Sequence, residues 1–361
     1  MSEAPKKKKN PLLPVTVILS ACTLSAIFLC VMMGLWVFFS DKKEEKEDPS
    51  DLVIQLSSEE PVIYTYSEEE VESMKAEAMS EGQAQKEMEI KELLREEAEH
   101  NSPSLATILR KMFPECIVFA GDGRFYFENI DEGVPANSYK RENYVTDENG
   151  FRFYEENGTR MTSLCIDISA HQGAIDWPKV AGAGVKRAMI RAGYRGYGSG
   201  KMVEDDFAKA NLEGATANNI EAGVYFFSQA ITEAEVDEEV QTILDLVEPY
   251  GIKGPIAIDV EKLDDSTARG NTLSAEERSA LVKRFCDKVK EAGYEPMIYG
   301  NAYSLFHMLN FKEISDYPIW FAYYSDSLYY PYQPTMWQYS NTGRVPGISG
   351  NVDLNVNYET P

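Results

Sequence analysis

Residues 162–361 predict an α/β fold, an eight-stranded barrel. Three observations carry that reading. Strand-like apolar runs alternate with helical patterns five times, three further strand runs follow with little room for helices, and acids stand at or near the ends of the first, fourth and last strands. Alternating β and α segments imply right-handed crossovers and a parallel sheet. Eight strands can close on themselves, and in such barrels chemistry gathers at the C-terminal strand ends.

The elements follow in chain order. Residues 1–10 are a basic tail with Lys6 to Lys9, and 11–40 are apolar and free of charge. From Val15 to Phe39 a helix would rise ~38 Å, enough to cross a hydrocarbon core of ~30 Å with some tilt. A single transmembrane helix in a lipid bilayer is therefore expected. A signal peptide would have a shorter apolar region and a small-residue cleavage site. Lys6 to Lys9 favour a cytoplasmic N-terminus, although Lys42, Lys43 and Lys46 make the charge bias modest.

Residues 41–101 hold 20 acids against 7 bases and are rich in helix formers. Val71, Met74 and Ala78 begin a heptad, but Glu81, Gln85, Met88 and Glu92 break the seam, so a solvated helical stalk is expected rather than a coiled coil. Residues 102–161 read as a small α+β spacer. A helix starts at Ser102 or Ser104, and "IVFAGDGRFYFENI" gives a β-hairpin about Asp122-Gly123. No chemistry is expected there.

Within 162–361 the strands are "SLCIDISA", "RAMIRAGY", "EAGVYFFSQA", "PIAIDVE", "YEPMIYGN", "PIWFAYY", "TMWQYS" and "SGNVDLNVNY", with helical patterns between the first five, read as five βα-type units followed by three strands. In "GPIAIDVEKLDD" the side chains of Ala257, Asp259 and Glu261 share one face, opposite Ile256, Ile258 and Val260. The two acid Cα atoms lie roughly 6.6 Å apart. Asp167 lies in the first strand and Asp353 in the last, which barrel closure makes neighbours. Four acids are thus expected at one mouth.

The formal charge of −24 argues against nucleic acid as a partner. Five scattered cysteines form no disulfide framework, and Cys165 and Cys286 read as buried thiols. His100, His171 and His307 have no zinc-hydrolase spacing.

"IDISAHQGAIDW" (166–177), "IDVE" (258–261), "MWQYS" (336–340) and "NVDLN" (351–355), in that order over some 195 residues, resemble the glycoside hydrolase family 25 muramidases. The resemblance covers residues 162–361 and implies a (β/α)5(β)3 TIM-like barrel. It implies a peptidoglycan hydrolase that cuts between N-acetylmuramic acid and N-acetylglucosamine. Glu261 would be the general acid/base and Asp259 its stabilising partner, either attacking directly or assisting the substrate's N-acetyl group. Asp167 and Asp353 would bind substrate or tune the pair, and His171 has no expected catalytic role. Phe226 departs from the histidine many relatives carry after the tyrosine, which removes a polar contact from the expected set.

Ten of the 25 residues from Tyr317 to Asn341 are aromatic, and such rings pack against sugar C–H faces. Trp337 and Tyr225 are expected at the cleft, with Tyr299 and Trp320 behind them; Gln338 of "MWQYS" joins the substrate-binding set. No cofactor is expected, since carboxylates supply both proton transfer and charge stabilisation. No protein partner is indicated. A wall polymer as substrate favours an extracytoplasmic barrel on a membrane anchor. Three rivals stand beside this reading. A chitinase-like barrel would carry more acids where Ala257 and Pro255 stand; an inactive barrel would bind wall glycan without cutting it; a membrane scaffold would work through its acidic stalk, with the barrel incidental.

Overall fold

The computed structural model describes residues 67–98 and 104–358. The basic tail and the expected membrane span at 11–40 lie outside the described residues. Among the described residues, no helix is long and apolar enough to cross a membrane. The chain divides into two compact units, one ending at Ser104 and the other beginning at Leu105.

In the first unit, helix α1 (Glu68–Ala98) runs for 31 residues. Ser67 starts it: the Ser67 N–H donates to Glu70 Oε2 at 2.9 Å, and the Glu70 N–H donates to Ser67 Oγ at 3.2 Å. Lys75–Glu72, Lys86–Glu89 and Lys91–Glu87 ion pairs decorate its surface at the i,i+3 and i,i+4 spacings that bring side chains together on one helix face. Met79 and Met88 are 67% and 64% exposed, so the broken heptad leaves no continuous apolar seam.

In the second unit, eight strands close the barrel: β6 (Thr162–Ile168), β7 (Arg187–Arg195), β9 (Glu221–Phe227), β10 (Ile256–Asp259), β11 (Pro296–Asn301), β12 (Ile319–Ala322), β13 (Met336–Gly343) and β14 (Val352–Tyr358). Short β8 (Met202–Glu204) is a hairpin partner of β7. Strands β6 to β13 of the ring run parallel, whereas β14 pairs antiparallel with both β13 and β6. Helices α3 (Trp177–Gly182), α4 (Ala208–Ala217), α5 (Glu233–Val247), α6 (Ala275–Glu291) and the short α7 (Phe311–Ile314) follow the first five ring strands. The expected five βα units and three closing strands are all present.

Alternation divides the core in two. Cys165, Met189, Ala257, Met297, Trp320 and Met336 fill the barrel lumen. Ile256, Ile258 and Val260 point outward into the larger shell under the helices. Cys165 and Cys286 are buried free thiols.

Residues 105–161 belong to the barrel's own compact unit and do not stand apart as a spacer. They comprise α2 (Leu105–Met112), the hairpin of β1 (Cys116–Gly121) and β2 (Arg124–Asn129), and a sheet of β3 (Tyr144–Thr146), β4 (Arg152–Glu156) and β5 (Thr159–Arg160). Ile117, Phe119, Tyr126, Phe151 and Phe153 are buried in the same apolar cluster as the outer barrel shell. The Tyr339 hydroxyl accepts from the Arg152 N–H at 3.1 Å, and the Tyr144 and Tyr358 hydroxyls meet at 2.5 Å.

Candidate active site

All four acids come to the C-terminal mouth. Asp167 is the penultimate residue of β6, Asp259 ends β10, and Glu261 lies two residues further. Asp353 reaches the same end because β14 runs the other way, which sets it directly across from Asp167. Inward-facing Ala257 lies in the lumen below Asp259, as the strand alternation requires.

Asp167 and Asp259 are buried, whereas Asp353 and Glu261 are half-buried. Asp167 Oδ2 accepts from Gln338 Nε2 at 3.0 Å and from Asn355 Nδ2 at 2.8 Å. Gln338 is held in turn, its Oε1 accepting from the Tyr299 and Tyr324 hydroxyls at 2.9 Å each. Asn355 Oδ1 accepts from Trp320 Nε1 at 2.7 Å. Asp259 Oδ1 is a buried oxygen without a hydrogen-bond partner among the described residues. Such orphans are rare in protein interiors and recur at functional sites.

Every one of these carboxyls is pushed above the ordinary carboxylate range. For Asp259 the largest cause is burial, followed by the charges of Glu261 and Asp167; the Arg191 guanidinium acts in the opposite sense. Burial also raises Glu261, the Tyr299 hydroxyl beside it pulls the other way, and the charge of Asp353 adds to the rise. Asp167 is raised by burial and then by Asp353, and Asp353 itself by burial. Burial and crowding thus make each of these carboxyls hold its proton more tightly than it would in water.

The aromatic residues divide differently from the sequence expectation. Tyr225, half-buried on β9, does face the acids: burial and then the charges of Asp167, Asp259 and Asp353 raise its hydroxyl well above the usual tyrosine range. Tyr299 is beside Glu261. Trp320 is 1% exposed in the lumen beneath them, edge-on to Tyr225 and Tyr299 at 5.9 and 4.6 Å between ring centroids. It supports the site from below and presents no surface to a glycan.

Trp337 is a correction. It lies between inward-facing Met336 and Gln338, so its ring points out of the barrel and is fully buried against Tyr144, Arg152 and Tyr339. Phe226 likewise points outward into the shell, away from the cleft, so the absence of a histidine there removes nothing from the mouth. His171 is exposed on the loop after β6.

Several site residues escaped the sequence reading. Arg191 enters the mouth from β7 and pairs with the buried Asp205 at 2.7 Å. Asp205 also accepts from the Ala170 N–H at 2.9 Å, which holds the loop following Asp167. Asn355 was visible by parity, two residues beyond Asp353 on the same face. Arg191 was visible by the same parity, two residues beyond lumen-facing Met189 and ahead of the bulge at Ala192. Among the described residues, no group of three or more His, Cys, Asp or Glu side chains is arranged to hold a metal ion.

A barrel whose mouth gathers desolvated carboxyls that hold their protons more tightly than usual has the equipment of a glycoside hydrolase. Residues 166–348, just over half of the chain, match the family described as Glycosyl hydrolases family 25, and the chain belongs to that family. YegX of Escherichia coli (strain K12) is 30% identical over 204 residues, covering 53% of this chain and 68% of that one. The autolytic lysozyme of Clostridium acetobutylicum is 27% identical over 196 residues, covering 52% of this chain and 54% of its own. Among solved structures, the modular autolysin LytC from Streptococcus pneumoniae superposes with a TM-score of 0.50 at 25% identity. That match covers 67% of this chain and 58% of LytC.

Proposed function

We propose that this chain is a muramidase, cleaving the β-1,4 bond between N-acetylmuramic acid and N-acetylglucosamine in peptidoglycan. The observation that carries the reading is the Asp259–Glu261 pair, with both carboxyls raised, at the end of β10 in a family 25 barrel. The names of the clostridial lysozyme and the pneumococcal autolysin point to the same substrate class.

Glu261 is the more exposed of the pair and the one with reach, so it protonates the glycosidic oxygen and later takes a proton from water. Asp259 stabilises the positive charge that develops at the anomeric carbon, with Arg191 favouring its ionised form. Asp167 and Asp353 border the sugar-binding floor, and Tyr225 lies at its edge. Gln338, Tyr299 and Trp320 hold that floor in place.

The test is digestion of purified peptidoglycan, with Glu261→Gln as control and the sugar identified at each new reducing end. Muramic acid ends from the native chain, absent with the variant, support the reading. N-acetylglucosamine ends would overturn the bond assignment. Retained glycan with no new ends would favour a binding module.

Residues 11–40 are further proposed to anchor the chain, with its N-terminus cytoplasmic and the barrel outside. Tags at either terminus in a protease-accessibility assay check this; protection of the C-terminal tag in intact cells would refute it.

A further inference from the structure

Asp122 stands at the tip of the β1–β2 hairpin, before the stretch that matches the family, yet it reaches the residue next to Glu261. Its Oδ1 pairs with the Lys262 ammonium. Its Oδ2 accepts from the Tyr303 hydroxyl at 2.6 Å and from the Tyr126 hydroxyl at 3.4 Å. Lys262 continues the chain directly from Glu261, and Tyr303 follows β11, the next strand round the barrel. One carboxylate therefore ties together two adjacent loops of the mouth.

The hairpin is shaped for this approach. Asp122 and Gly123 take φ of 49° and 73°, the left-handed pair a tight two-residue turn needs. A β-carbon on Gly121 would lie 2.3 Å from Tyr303 Cδ2, so only glycine lets the strand sit against that ring. Behind the tip, Tyr126 packs edge-on to Tyr303 at 5.6 Å and against His307 at 4.4 Å. The other side is tied down as well: the Val118 N–H donates to the Tyr329 hydroxyl at 3.0 Å. The tip is thus a fixed point and not a free loop.

We propose that Asp122 is a positioning residue for Glu261, and that the β1–β2 hairpin is thereby a working part of the active site. This rests on the assignment of Glu261 as the acid. A proton donor must stay within hydrogen-bond reach of the bond it cleaves, and a displacement of about 1 Å can cost ~100-fold in rate. Lys262 and Asp122 are 35% and 39% exposed. An ion pair that open adds little to stability, so its effect on rate separates from any effect on folding.

The experiment uses the full chain with Asp122→Asn, Asp122→Glu, Lys262→Met and the double variant Asp122→Asn/Lys262→Met. Steady-state kinetics on soluble peptidoglycan fragments, melting temperatures and backbone hydrogen exchange are measured on each. Asp122→Asn is expected to lower kcat about 10-fold with KM within about 2-fold and Tm within about 2 °C. Asp122→Glu restores most of the rate. The double variant is no slower than the worse single one, because both act through one contact. Exchange of amides 261–266 and 303–308 rises in Asp122→Asn.

The proposal is overturned by an unchanged kcat in folded Asp122→Asn, by a loss carried by KM, by additive losses in the double variant, or by unchanged exchange. A native chain that hydrolyses nothing, or a Glu261→Gln variant as fast as native, instead overturns the assignment of Glu261.

Discussion

Replacing Trp337 tests whether its ring serves the fold or the substrate. The side chain is fully buried, its Nε1 donates to the Tyr323 carbonyl at 2.8 Å, and Tyr144 stands edge-on at 5.2 Å. Truncating a buried aromatic to alanine costs about 3–5 kcal/mol, and the abandoned Tyr323 carbonyl adds about 1 kcal/mol. Each kcal/mol lowers Tm by roughly 2–4 °C in a unit of this size, so Trp337→Ala should melt about 10–20 °C lower. Trp337→Phe keeps most of the ring and loses the donor, for about 1–2 kcal/mol and a fall of roughly 3–6 °C. Thermal melts followed by circular dichroism give both shifts. Glycan-fragment kinetics at 25 °C should give a KM for Trp337→Phe within about 2-fold of native, because no ring atom faces the mouth. A large rise in KM at unchanged Tm would refute the placement and return Trp337 to the cleft.

Asp259→Asn should abolish most activity while making the protein more stable at alkaline pH. The native Asp259 carboxyl binds its proton more tightly than it does in the unfolded chain. It therefore favours folding below the unfolded value of about 3.9 and opposes folding as pH rises through the native value. Urea titrations at pH 8 and pH 4 should show a stabilised variant at the first and a vanishing difference at the second; an equal gap at both would contradict the raised carboxyl. For Tyr299→Phe, removing the hydroxyl that holds Glu261 down lets its pKa climb further. The alkaline limb of the kcat/KM profile, where the acid loses its proton, should then move to higher pH, and a shift the other way would mean Tyr299 acts on another group.

Sequence periodicity determined the architecture and half of the site. The strand and helix runs after Thr162 set the barrel, and alternation in "PIAIDVE" put Ala257, Asp259 and Glu261 on one face, because pleating leaves no other choice. Alternation also implied that Trp337 lies opposite Met336 and Gln338, but it could not say which of those faces was the lumen. Only closure of the ring decided that, sending Gln338 to Asp167 and Trp337 to the outer shell. The same closure sent Tyr225 inward and Phe226 outward.

The segment 105–161 resisted sequence reading for a different reason. Its hairpin was legible from Asp122-Gly123 and local alternation, yet the segment's partners lie far along the chain: Tyr303 for Asp122, Tyr339 for Arg152, Tyr358 for Tyr144. Local pattern reports which face of a strand is apolar, not which distant surface will cover it. Residue types and their spacing thus placed the carboxyl pair on a barrel strand. Tertiary packing alone brought the Asp122 hairpin to it and decided that the strand faces carrying Arg191 and Asn355 turn toward the mouth, because those contacts exist only once the chain has folded back on itself.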